Sequence, residues 1–96
     1  MSYYLLRYDR VVDHYVERRA PFREAHLALI RDAHARGEIV MAGAVGETPA
    51  GAVLVFRSAS PEAVHAFAQA DPYVREGLVL EWRVEPWHVV VGGAAD

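Results

Sequence analysis

The residue best placed for chemistry is a histidine, His26, on what should be the apolar side of an amphipathic helix. With Phe22 set at zero and about 100° per residue, Leu29, Ala33, His26 and Ile30 fall in one narrow stripe. The imidazole therefore points inward. A buried ring nitrogen left without a partner costs on the order of 1–3 kcal/mol, so the helix demands one. A carboxylate is the natural choice, and Asp71, opening the turn Asp71-Pro72-Tyr73, is the best candidate. A histidine held this way can act as general base and then general acid near neutral pH, because free imidazole titrates at about 6.5. The carboxylate would fix the tautomer and favour the imidazolium. Each residue also has a plainer use. A lone histidine on an apolar stripe is more often a satisfied core residue, and Asp71, before proline, is well placed to cap the next turn by accepting the N–H of Tyr73 or Val74. Capping and catalysis are compatible, since a carboxylate has about four acceptor sites.

Two further side chains are candidates for contact with a substrate. Arg23, one turn before His26 at the edge of the stripe, could bind an anion or phenolate, or pair with an acidic neighbour at the rim. Tyr73 could offer a hydroxyl, or pack beside a helix end. Arg7 and Asp9 share a strand face and suit a subunit contact. Other chemistries find little support. His14, His34, His65 and His88 show no His-x-x-x-His or His-x-His spacing, so no metal site is expected. No glycine-rich loop follows a strand and opens a helix, so no nucleotide cofactor is expected. Ser2, Ser58 and Ser60 lack a nucleophile-elbow context, and Ser60 reads as a helix cap.

These residues need elements to hold them. A strand is expected over residues 3–9, with Tyr4, Leu6 and Tyr8 on one face. Asp13 is a plausible helix N-cap, and Ala20-Pro21 marks a kink or a restart with Pro21 at the first helical position. The helical period runs from Phe22 to Arg36, and Gly37 suits a left-handed cap. Residues 38–45 and 52–57 form an antiparallel pair around a turn-rich segment at 46–51. Ser60 opens a helix to about Ala70, with Ala63, Val64, Phe67 and Ala70 on its apolar stripe. Asp71-Pro72 breaks it, residues 72–76 make one more turn, and Gly77 stops that. The last strand begins near Val79, with Leu80, Trp82 and Val84 on one face; Pro86 confines any continuation over residues 87–91 to a sheet edge or beyond a bend. Residues 92–96 read as a loose tail. The order strand, helix, strand, strand, helix, strand is the ferredoxin-like split βαβ pattern: α+β, with an antiparallel sheet and both helices on one side.

Composition bounds the reading. The 96 residues suit one domain, and a hydrophobic fraction of 53% is high for that size. The middle strands are apolar on both faces, as Val53 and Val55 are beside Ala52, Leu54 and Phe56. Two helices cover one face, so a second subunit is expected on the other, making a homodimer. No apolar run approaches a membrane span, and a net charge of −3 argues against a nucleic-acid partner. The N-terminal residues lack a basic, cleavable leader pattern, which suggests the cytoplasm. With no cysteine, thiolate nucleophiles and cysteine-ligated metals drop out.

In order along the chain, Arg23-Glu-Ala-His26-Leu27, Gly37-Glu-Ile with Ala42-Gly43, residues 51–56, Asp71-Pro72-Tyr73-Val74 with Gly77-Leu78, and Glu85-Pro86-Trp87 together resemble the YciI-like (YCII-related domain) family. The likeness spans residues 3–90. This sequence departs from the pattern at Ala44, where proline is usual, and over residues 13–19. The resemblance implies a dimeric α+β barrel and an active site built on His26 and Asp71. It implies no single reaction; one known activity in the family is dehydrochlorination of a chlorinated hydroquinone. The reading is thus acid–base chemistry, elimination or isomerisation, on a small organic molecule without a cofactor. The competing classes are a noncatalytic small-molecule-binding or interaction domain and, by fold analogy, a cofactor-free monooxygenase.

Overall fold

The structure, a computed structural model, describes residues 1–93. Its elements are β1 (Ser2–Val11), α1 (Tyr15–Arg19), a 3-10 turn (Ala20–Phe22), α2 (Arg23–Ala35), β2 (Ile39–Val45), β3 (Gly51–Ser58), α3 (Pro61–Ala70), α4 (Pro72–Arg75) and β4 (Val79–Trp87). The four strands form one antiparallel sheet in the order β2-β3-β1-β4. That is the expected ferredoxin-like α+β arrangement, and it puts the first strand in the middle. Alternation along β1 and β3 sends Leu6, Tyr8, Leu54 and Phe56 to the helix side, where Val64, Phe67 and Ala68 of α3 and Ala33 of α2 complete the core. Burying such side chains contributes about 1.5–3 kcal/mol each, the main force holding helices on sheet.

Several local expectations are corrected. The chain reverses after β1 through His14, which takes the left-handed conformation (φ 58°) and precedes α1, so Asp13 is not the cap. Proline at 21 is accommodated in the 3-10 turn, and α2 starts only at Arg23. Ser60 does precede α3, but its side chain makes no cap bond; instead the Ser60 N–H donates to Ser58 Oγ at 3.3 Å. On α3 it is Ala68 that is buried, while Ala63 and Ala70 face outward. In β4, register shifts against Arg10 turn Val79 to the core and leave Leu80 exposed. Pro86 lies within β4 opposite Tyr4, tolerated because β4 is an edge strand. Gly37 does adopt positive φ (79°) after α2. The expected tail falls partly outside the described residues.

One glycine has a steric reason to be where it is. A Cβ on Gly51 would lie 2.5 Å from the Tyr8 carbonyl oxygen, so the start of β3 can approach β1 only without a side chain. This close approach sets the strand segment that carries Tyr8.

The sheet face away from the helices is mixed. Register places Leu5, Val53, Val55 and Met41 on it, beside Arg7, Asp9, Arg83 and Glu85. The charges form a ladder: Arg7–Asp9 at 3.3 Å, Arg83–Asp9 at 2.9 Å and Arg83–Glu85 at 3.5 Å. Met41 and Val45 remain 64% and 51% exposed.

Candidate active site

The break between α3 and α4 builds the site. Asp71 is extended (φ −68°, ψ 123°), as a residue before proline must be, and its Oδ1 accepts the Tyr73 N–H at 3.0 Å. The capping use is therefore real. The same carboxylate, fully buried, receives His26 Nδ1–H from α2 at 2.8 Å to Oδ1 and 3.0 Å to Oδ2. A third donor comes from the centre of the sheet: the Tyr8 hydroxyl gives a hydrogen bond to Oδ2 at 2.5 Å. Three donors converge on one buried anion, which offsets the cost of removing it from water.

Tyr8 is a neutral donor in this arrangement. Burial foremost, and then the adjacent Asp71 carboxylate, push its phenol far above the ordinary tyrosine range. Because Nδ1 of His26 is engaged by Asp71, Nε2 is the nitrogen left for the cleft that His26 lines. His26 is only 7% exposed, so little of its surface meets that cleft. Tyr73 stacks on the ring with centroids 3.7 Å apart and planes 6° from parallel, which fixes its tilt. Tyr15 then meets Tyr73 edge-on at 5.9 Å.

The cleft has a volume of about 320 Å³ and runs between α2 and the β2–β3 end of the sheet. All four residues expected from the sequence belong to one neighbourhood: Asp71 behind the ring, Tyr73 against it, and Arg23 exposed on the wall of the cleft beside His26. Arg23 makes no ion pair among the described residues. Two residues were not anticipated: Tyr8, read only as sharing a strand face with Tyr4 and Leu6, and Tyr15, in the segment that departs from the family pattern. Arg19 lies in that segment too, one of five arginines within the first 23 residues. The Arg19 guanidinium lies 5.1 Å from the Tyr15 ring centroid, and it pulls the Tyr15 phenol down while burial, the stronger effect, pushes it up. Among the described residues there is no cluster of three or more histidine, aspartate or glutamate side chains suited to hold a metal ion. No described helix is long and apolar enough to cross a membrane.

Comparison with known proteins agrees with this architecture. The chain is 34% identical to Protein YciI of Escherichia coli O6:H1 and equally to Protein YciI of Shigella flexneri; each match covers 78% of this chain and 86% of the relative. In fold it is similar to a solved 5-chloro-2-hydroxyhydroquinone dehydrochlorinase from Burkholderia phenoliruptrix AC1100 in complex with 2,5-dihydroxybenzoquinone. That match has a TM-score of 0.75 at 24% identity, covering 90% of this chain and 93% of that one. The YCII-related domain family matches residues 1–88, and with these relatives it shows that the chain belongs to that family.

Proposed function

We propose that the cleft performs general acid–base chemistry on a small organic molecule, of elimination or isomerisation type, with His26 moving the proton and Asp71 orienting it. The observation that carries this reading is that His26 has Nδ1 anchored on a buried carboxylate while the residue itself lines a cleft. Nε2 takes a proton from carbon, and the released electron pair forms a new double bond as a leaving group departs or a neighbouring bond shifts. The imidazolium, stabilised by Asp71, then returns the proton. Arg23 and Tyr73 contact the substrate. The structural neighbour's dehydrochlorinase activity is an elimination, which gives the reading a chemical precedent within the fold.

The protein works as a homodimer, with the helix-free sheet face against a second copy. That face carries an apolar row beside two arginines, an aspartate and a glutamate, a balanced set that a two-fold axis can make self-complementary. Light scattering should give twice the 10.7 kDa chain mass. A monomer at micromolar concentration would contradict the dimer.

The chemistry is tested by following deuterium uptake from D2O at carbon in enolisable cyclic compounds, and chloride release from 5-chloro-2-hydroxyhydroquinone. The native chain should catalyse at least one reaction, and His26→Gln, unfolding at the same midpoint, should not. Full activity in a folded His26→Gln protein contradicts the proposal. Inactivity of the native chain across the set favours a noncatalytic binding domain.

A further inference from the structure

The cleft in front of His26 is lined by two guanidinium groups, those of Arg19 and Arg23, and by no carboxylate. Asp71 lies behind the ring and is closed off from it. Arg7, Arg10, Arg36 and Arg83 reach acidic side chains within 4 Å, whereas among the described residues Arg19 and Arg23, like Arg18, Arg31 and Arg75, do not; what sets Arg19 and Arg23 apart is that both line this one cleft. A chain of net charge −3 that leaves two cations unpaired on one cleft makes that cleft selective for anions. Tyr73 also lines the cleft. The Tyr73 hydroxyl is buried and has no hydrogen-bond partner among the described residues. The strand wall opposite is built mainly from small residues, Ala42, Gly43 and Ala44 of β2 with Gly51 and Ala52 of β3, and Leu54 of β3 is its one large apolar side chain.

We infer that the substrate of this site is a small carboxylate with a flat, apolar body. The inference rests on the proposed acid–base function and names the substrate class it serves. The two oxygens of a carboxylate can face two guanidinium groups at once, and Arg19 is already held over the Tyr15 ring, which lowers the entropy lost on binding. The apolar body then lies along the small-residue wall and brings its carbon skeleton to the edge of His26.

Titration calorimetry at low ionic strength tests this with benzoate, its neutral isostere benzamide, and inorganic phosphate. Benzoate should bind at least about tenfold more tightly than benzamide, as expected for charge-assisted hydrogen bonds. Arg19→Gln and Arg23→Gln should each remove most of that preference, and added salt should weaken it. Arg23 is exposed, so its variant carries the test if Arg19→Gln fails to fold. Equal affinity for benzoate and benzamide, or no binding of either at millimolar concentration, overturns the assignment. Phosphate binding as tightly as benzoate overturns it too, in favour of a simple anion site. Binding needs no proton transfer. Benzoate affinity retained in His26→Gln therefore supports the carboxylate site whatever becomes of the catalytic reading, and a native chain that exchanges deuterium but binds no benzoate defeats only this inference.

Discussion

Replacing Asp71 by alanine removes one acceptor from three buried donors at once. The Tyr8 hydroxyl (2.5 Å), His26 Nδ1–H (2.8 Å) and the Tyr73 backbone N–H (3.0 Å) all end on this carboxylate. A hydrogen bond to a charged group contributes about 1.5–3 kcal/mol, but three bonds sharing one partner do not add independently. Removing the anion also removes its desolvation cost. The balance is a loss of about 3–5 kcal/mol, the range for breaking a buried charged network by deleting one member. Set against a total of about 5–15 kcal/mol for a typical domain, that is a large fraction. Urea unfolding followed by the fluorescence of Trp82 and Trp87, at one fixed protein concentration, reads it directly. Asp71→Asn keeps one acceptor oxygen and offers an amide N–H to the Tyr8 oxygen, so it should lose less than half as much. A loss below about 1 kcal/mol in Asp71→Ala, within the range of an ordinary substitution, would refute the three-donor account.

Tyr8→Phe removes one of those donors without emptying the core, and should cost about 1.5–3 kcal/mol by the same unfolding assay. Its pH dependence has a defined sign. The folded state holds the Tyr8 phenol neutral above its ordinary pKa, so its contribution is complete below about pH 10 and declines above it, as the unfolded chain ionises. The unfolding midpoint should therefore fall less steeply in alkali for Tyr8→Phe than for the native chain; parallel curves would contradict the assignment. Gly51→Ala should destabilise by about 1–3 kcal/mol in thermal unfolding, because its methyl group would meet the Tyr8 carbonyl oxygen and push β3 from β1. A neutral outcome would mean the strands part without penalty.

Much of the site was legible because a polar ring on an apolar stripe needs a partner, and the best candidate carboxylate, Asp71, opened a proline turn. The same reasoning applies to Tyr8. Its phenol shares a core-facing strand side with Leu6, yet the aromatic ring alone satisfies the apolar alternation, so the pattern carries no signal of the hydroxyl's partner. The Asp13 cap failed because reversal by a left-handed His14 is a local backbone choice that residue type does not announce. Leu80 and Val79 exchanged places because a register shift turns the strand over, and alternation alone cannot locate a shift. Arg19 and Tyr15 join the cleft only through the folding of a short helix onto α4, a contact between segments far apart in the chain.

The central claim is that Asp71 holds the proton on Nδ1 of His26 and leaves Nε2 bare toward the cleft. Nitrogen-15 NMR of the histidine side chains, recorded at a pH where His26 is neutral, distinguishes the two tautomers directly. The account predicts a protonated Nδ1 and a proton-free Nε2 for His26 in the native chain, with that preference lost in Asp71→Ala. A proton resident on Nε2 in the native protein would contradict it, since that nitrogen could not then accept a proton from a substrate.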